Sequence, residues 1–162
     1  MKNYIGTKQI KGRPMTRAEY NTYRGWELPA DEDGTEEVYL VEYPVDVNSK
    51  PNHPDHEGYI TMSPKHVFDE AYKESGEMTF GHAVELLKAG HKVARSGWNG
   101  KSMWLKLVEG RFIANTPDAD FKNQVGNLDI CSHIDMFSAD QKQVVGWLAS
   151  QTDVLAEDWG VV

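Results

Sequence analysis

The clearest periodic signal in the chain lies between Thr79 and Gly90, where Phe80, Ala83, Val84 and Leu87 recur at i, i+3, i+4 and i+7. That spacing places four apolar side chains on one stripe and predicts an amphipathic helix, with Thr79 as its N-cap and Gly90 as its stop. Upstream the pattern is shorter-ranged. A strand is expected from Tyr4 to Ile10, and Thr16-Arg17-Ala18-Glu19 has the spacing of a capping box that opens a short helix ending at Arg24-Gly25. Val38 to Tyr43 reads as a strand. Pro44 to Pro54 reads as a loop, because three prolines and two asparagines disfavour any regular ladder. A strand from Tyr59 to Met62 follows. Ser63-Pro64 then supplies an N-cap and a first-turn proline for a helix reaching about Tyr72, with Val67, Phe68 and Ala71 on one face.

Beyond Gly90 the period shortens to that of strands. Lys92 to Arg95 and Met103 to Val108 are expected strands, separated by the glycine-rich turn Ser96 to Ser102, and Glu109-Gly110 is expected to close a hairpin with Arg111 to Ala114. Asn115 to Asp129 is polar and unpatterned, a loop. Ile130 to Phe137 and Val144 to Leu148 read as two more strands joined by the turn Ser138 to Gln143. Ser150-Gln151-Thr152-Asp153 is a second capping box, opening a helix to about Asp158. The polar stretch Lys73-Glu74-Ser75-Gly76-Glu77 separates two modules, residues 1–76 and 77–162, each mixing strands and helices.

Composition narrows what these modules do. With 162 residues, 40% of them hydrophobic, the chain can bury a core as one domain or two small ones. No apolar run approaches the roughly 18 residues of a membrane span, and the stretch from Met1 to Gln9 is too polar for a signal peptide, so a cytoplasmic location is expected, with no membrane partner. The single cysteine, Cys131, excludes an internal disulfide and a multi-cysteine zinc site; beside Ile130 in an expected strand, it reads as an inert buried thiol. A net charge of −8 argues against a polymeric nucleic-acid partner, which would be held by Lys and Arg matched to phosphates. The stretch from Leu86 to Val108 runs the other way, with Lys88, Lys92, Arg95, Lys101 and Lys106 and no acid. It reads either as a patch for a small anion or as a solvated face.

No catalytic signature stands out: the chain lacks a nucleophile elbow, a phosphate loop, a dinucleotide fingerprint and a zinc-protease helix. His53-Pro54-Asp55-His56-Glu57 is the nearest approach to a metal cluster. It lies in a proline-rich loop without helical spacing to aim both imidazoles at one ion, so no metal is expected. The informative pair of segments is Arg95-Ser96-Gly97-Trp98-Asn99-Gly100-Lys101 and Trp147-Leu148-Ala149-Ser150-Gln151-Thr152-Asp153. A nucleotide site needs an aromatic face for the base, donors for phosphate and acceptors for hydroxyl and amine groups, and these segments hold all three. Two plainer readings stand beside that one: a tryptophan at a strand end also serves a core, and Ser150 and Asp153 also serve as helix caps.

Met78-Thr79-Phe80-Gly81, Ala83 to Lys88, Val93-Ala94-Arg95 and Gly97-Trp98-Asn99-Gly100, with the closing Trp147 to Asp153 and Leu155-Ala156-Glu157-Asp158-Trp159, resemble the phage Thoeris anti-defence domain of the second type. The resemblance implies an α+β fold, an antiparallel sheet with a packed helix, behind a small α+β N-terminal module. It implies a homotetramer with ligand pockets between protomers, acting in the host bacterial cytoplasm. Such proteins act as sponges: they bind glycocyclic ADP-ribose, made by TIR proteins, and in some members cyclic dinucleotides, without turnover and without a cofactor. Carried over by position, Trp98 and Trp147 would stack, Asn99, Ser150 and Asp153 would make polar contacts, and Arg95 or Lys101 would meet phosphate; the residues' own chemistry adds that backbone N–H groups near Gly97 and Gly100 could approach phosphate closely. Two other functions compete: an enzyme degrading the same signal with Asp153 or His133 as base, and an inhibitor that uses the acidic first module against a defence protein. That module, with Tyr4-Ile5-Gly6-Thr7, Pro14-Met15-Thr16-Arg17 and Tyr23-Arg24-Gly25-Trp26, resembles a segment found in uncharacterised phage proteins. Its aromatics Tyr20, Tyr23, Trp26, Tyr39, Tyr43 and Tyr59 are expected to form a small core.

Overall fold

A computed structural model of the chain describes residues 1–3, 5–46, 48, 50–98, 102–114 and 127–162. It comprises two compact units, Met1–Lys73 and Glu74–Val162.

In the first unit β1 (Lys11–Thr16), β2 (Glu37–Glu42) and β3 (Ile60–Pro64) form an antiparallel sheet in that order, with α1 (Arg17–Arg24) and α2 (Lys65–Ala71) packed on it. The Thr16 capping box is present: Thr16 N–H donates to Glu19 Oε2 at 2.7 Å and Glu19 N–H to Thr16 Oγ1 at 3.2 Å. Gly25 closes α1 at φ 70°, a left-handed position that a side chain would disfavour. Tyr20 of α1 is buried with Val38, Leu40 and Ile60, and Met15, Tyr23 and Met62 pack against them. Of the aromatics expected in this core, Trp26 and Tyr59 are instead exposed.

Two expectations fail here. The first strand is Lys11–Thr16, not Tyr4 to Ile10; β2 has apolar Val38, Leu40 and Val41 to offer, and Lys11–Thr16 pairs with it in full register although it alternates poorly itself. Its Pro14 is tolerated because β1 is an edge strand, where one missing ladder donor costs little. Tyr4 lies outside the described residues. Ser63 does not cap α2 either. Ser63 and Pro64 pair with Tyr39 and Val38 as the end of β3, and the helix starts at Lys65 without a side-chain cap.

The second unit contains α3 (Phe80–Lys88), β4 (Val93–Arg95), β5 (Trp104–Val108), β6 (Arg111–Ala114), β7 (Asn127–Ile130), β8 (His133–Phe137), β9 (Gln143–Val144), α4 (Gln151–Val154) and β10 (Trp159–Val161). Five strands make an antiparallel sheet in the order β10-β4-β5-β8-β9, with α3 against it; β6 and β7 form a separate ribbon. The α+β class expected from the sequence is the one observed. Thr79 caps α3, and the helix ends with His91 N–H bonded to Leu86 O and Gly90 N–H to Leu87 O, Gly90 taking φ 90°. The core joins Ala83, Leu86 and Leu87 to Val93, Leu105 and Trp159. Leu86 is buried on the helix stripe where Val84 was expected, because Val84 sits at the stripe's margin.

Strand pairing departs most from the sequence reading. The expected β5–β6 hairpin does not form: β5 pairs with β8, which sets Leu105 against Met136 and Leu107 against Ile134 on the core face, while β6 pairs with β7. Ile130 to Phe137 is not one strand. The chain leaves the ribbon at Cys131 and Ser132, with Gly110 N–H bonded to Ser132 Oγ at 2.9 Å, so the Cys131 thiol is exposed rather than buried. Val144 to Leu148 yields only a two-residue strand, because Gly146 at φ 76° turns the chain and Trp147 N–H then bonds to Ile134 O at 2.7 Å. The helix after Ser150 stops at Val154, and residues 159–161, expected to follow a longer helix, form the edge strand β10. Residues 74–78 join this unit: Gly76 and Met78 N–H groups both bond to Trp159 O, and Ser75 Oγ accepts Val161 N–H. Among the described residues no helix is long and apolar enough to cross a membrane. The expected loop from Asn115 to Asp129 lies outside the described residues except for 127–129, which are in β7.

Candidate ligand-binding site

Arg95 ends β4 on the edge side of the sheet, opposite Trp159 of β10. Its Nε donates to Asp158 Oδ1 at 2.7 Å, and its Nη1 donates to Asp153 Oδ1 at 2.8 Å and Thr152 O at 3.2 Å. Nη2 has no partner among the described residues. Two carboxylates raise the guanidinium's pKa, Asp158 first and Asp153 second, although partial burial opposes them. Asp158 turns its other oxygen to the loop, accepting Gly97 N–H at 2.7 Å and Ser96 Oγ–H at 3.4 Å. A Cβ at Gly97 would lie 2.7 Å from that oxygen, so this approach needs glycine.

Asp153 is the centre of the arrangement. Oδ1 accepts from Arg95 and from Trp98 Nε1 at 3.0 Å, and Oδ2 from Ser150 Oγ at 2.6 Å and Ser150 N–H at 3.2 Å. Burial pushes its pKa up, yet the hydrogen bonds from Ser150, Arg95 and Trp98 outweigh burial and lower it to about 2. Its backbone carbonyl accepts Trp159 Nε1 at 3.1 Å. Around it three tryptophans meet edge to face: Trp98 and Trp159 at 5.4 Å and 79°, Trp98 and Trp147 at 6.2 Å and 67°, Trp147 and Trp159 at 6.4 Å and 76°. Trp159 is fully buried, whereas Trp98 and Trp147 are half-buried.

The structure thus gathers Arg95, Trp98, Trp147, Ser150 and Asp153, five of the eight residues singled out in the sequence. Asn99, Gly100 and Lys101 lie outside the described residues. Ser150 and Asp153 are also a capping box on α4, so their structural reading and their place in the cluster are both realised. Asp158 was not anticipated. Its only sequence signal was position beside Trp159 in a closing motif, and its partner Arg95 lies 63 residues away.

Among the described residues, the cations of the run do not form one patch. Lys88 bonds to Glu85 at 2.7 Å, and Lys92 Nζ lies 3.9 Å over the Trp104 ring. Trp104 stacks on Phe137 at 5.1 Å and 14°, and Lys106 stands opposite Asp135 in the β5–β8 register. These side chains occupy the sheet face away from the core and bound an open depression of about 750 Å³ that also includes Gly90, Val108 and Gln143. Asp135, 5% exposed, accepts Gln143 Nε2 at 2.5 Å and Gly146 N–H at 3.0 Å, and His133 Nε2 lies 3.4 Å from it. Period-two alternation along β5 and β8 was the available signal for this second face, since Trp104 and Lys106 alternate with the core residues Leu105 and Leu107.

Every residue of both arrangements falls within the segment that has known relatives. The family model for the Thoeris anti-defense 2-like domain matches residues 78–162. Thoeris anti-defense 2 of Bacillus phage SP01 is 43% identical over 86 residues, covering 53% of this chain and 96% of that protein. Through residues 78–162, which include both signature segments, the chain belongs to the Thoeris anti-defense 2-like domain family.

Proposed function

We propose that the C-terminal unit counters Thoeris defence in the host cytoplasm by binding a cyclic nucleotide signal, glycocyclic ADP-ribose or a cyclic dinucleotide, and withholding it without turnover. The observation that carries this reading is the meeting of Trp98, Trp147, Arg95 and Ser150 around Asp153. Trp98 and Trp147 are half-buried and, among the described residues, meet other rings only at tilted or edge-to-face angles, which supports an indole face as the partner of a base. Arg95 is offered to phosphate, with its Nε and Nη1 held by Asp158 and Asp153, and the proposal adds Asn99, Gly100 and Lys101, which follow Trp98 in the sequence. Assembly into a homotetramer with pockets between copies is part of the proposal, supported by exposed Val145, Leu148 and Leu155 near the cluster.

Calorimetric titration with glycocyclic ADP-ribose, a cyclic dinucleotide and ADP-ribose tests the reading, with light scattering for the oligomer. Binding of a cyclic ligand by a tetramer is expected; failure of all three ligands to bind sinks it. Trp98→Ala should weaken binding by about 1–3 kcal/mol if the indole stacks on a base.

The His133–Asp135 pair favours one alternative, a hydrolase acting on the same signal with His133 as base. Asp153 suits that role poorly, because a carboxylate engaged by four donors and titrating at about 2 has little proton affinity at neutral pH. Intact nucleotide recovered after heat denaturation of the complex speaks for the sponge, and hydrolysed product lost on His133→Asn speaks for the enzyme.

A further inference from the structure

The two imidazoles of the His53 to Glu57 loop both bond to Tyr23, at the C-terminal end of α1. Asp55 N–H donates to His53 Nδ1 at 3.3 Å, so His53 carries its proton on Nε2 and donates it to Tyr23 O at 3.2 Å. The His53 ring also stacks on the Tyr23 ring at 4.4 Å and 19°. His56 has the opposite tautomer. Its Nδ1 lies 3.0 Å from Glu42 Oε2, a carboxylate that only accepts, so Nδ1 bears the proton and Nε2 accepts the Tyr23 hydroxyl at 2.9 Å. Glu42 is held charged by His56 first and by Gly58 N–H, which lower its pKa, and the Glu42 and His56 side chains are only 12% and 14% exposed.

The proton order is therefore carboxylate, imidazole, phenol. A hydroxyl needing only a partner would be satisfied by water at this half-buried position. Backing it with an imidazole whose far nitrogen is held by a carboxylate is the arrangement that lets a hydroxyl shed its proton as it attacks. Two cations flank it on β1: Arg13 Cζ lies 5.0 Å from the Tyr23 ring centroid, and Lys11 Nζ lies 3.9 Å from Glu42. Both residues are exposed. Gly58 fixes the loop that carries the imidazoles, since a Cβ there would fall 1.9 Å from Tyr43 O.

We infer that the first unit carries a reactive centre of its own, in which Tyr23, backed by His56 and Glu42 as proton acceptor, is a nucleophile toward an anionic phosphoryl or sulfonyl electrophile drawn in by Arg13 and Lys11. In the step, Tyr23 Oη bonds to the electrophilic phosphorus or sulfur while its proton passes to His56 Nε2. The bond from that atom to the leaving group breaks, the leaving group departs with the electron pair, and His56 gives the proton to it or to water.

The test treats the full chain with 4-(fluorosulfonyl)benzoate, an anionic reagent that forms an O–S bond and expels fluoride, and follows all seven tyrosines by peptide mass spectrometry. Tyr23 should react about a hundredfold or more faster than exposed Tyr59, the scale of a positioned general base. Glu42→Gln and His56→Asn should each remove most of that advantage, and Arg13→Gln should remove a preference for this reagent over neutral benzenesulfonyl fluoride. Tyr23 labelling no faster than Tyr59 overturns the inference, as does an unchanged rate in His56→Asn protein with native circular dichroism. If His56→Asn fails to fold, Glu42→Gln decides, because glutamine still accepts the Nδ1 proton while removing the charge. A faster reaction with the neutral reagent overturns the anionic substrate class.

Discussion

The two units each organise an arginine with two acids, but over different chain distances. In the first, Arg17 bonds to Glu32 and Glu36, 15 and 19 residues away, across a single turn-rich excursion between α1 and β2. In the second, Arg95 bonds to Asp153 and Asp158, 58 and 63 residues away, joining the opening and closing segments of the unit. The first pairing is a staple within one supersecondary piece. The second exists only once β10 has docked against β4, so its integrity reports on the whole unit. A long-range charge cluster with two half-buried tryptophans is thus both the keystone of the second unit and its candidate binding surface.

The comparison breaks most severely at Trp159. Trp159→Ala should destabilise the second unit by about 3–5 kcal/mol, since the side chain is fully buried and its loss leaves a cavity under Asp153; denaturant unfolding followed by the remaining tryptophans measures this. Arg95→Met should cost about 2–3 kcal/mol by the same assay, because it removes the shared cation from two carboxylates that the fold has already placed together. The equivalent change at Arg17, whose acids are close in sequence and more exposed, should cost clearly less.

Acid sharpens the same contrast. The folded pKa of Asp153, about 2, lies below its ordinary 3.8, so the folded state binds fewer protons there and gains stability as pH rises. That contribution is complete above about pH 4 and is lost as pH falls toward 2. It amounts to about 1–2 kcal/mol after allowance for solvent screening. Melting curves between pH 5 and 2 should show the loss, measured against wild type, flattened in Asp153→Asn protein. The smallest effect belongs to a local device: Thr16→Ala should cost the first unit about 1 kcal/mol, the value of one N-cap, with no change in ligand binding by the second.

What could be read in advance followed from how local each determinant is. The capping boxes at Thr16 and Ser150 and the stop at Gly90 are decided within a few residues, and all three form. Arg95, Trp98, Trp147, Ser150 and Asp153 could be singled out as candidates because two tryptophan- and turn-rich segments carry aromatic, cationic and polar groups together, although Ser150 and Asp153 also cap α4. Asp158 and the Trp104–Phe137 face could not, because their partners come from distant strands.

The sequence by itself determined that four helices form and where α1 and α3 begin and end, the mixed α+β character and the family of residues 78–162, since caps, periodicity and ordered motifs are properties of neighbours along the chain; the start of α2 and the end of α4 it did not. Only the tertiary structure decided that β5 takes β8 rather than β6, that Cys131 faces outward, that Trp159 opens a strand, and that Arg95 is shared between two aspartates. Strand pairing and long-range ion pairs depend on which apolar faces find a common core, and a strand's local pattern is compatible with several partners until that core closes.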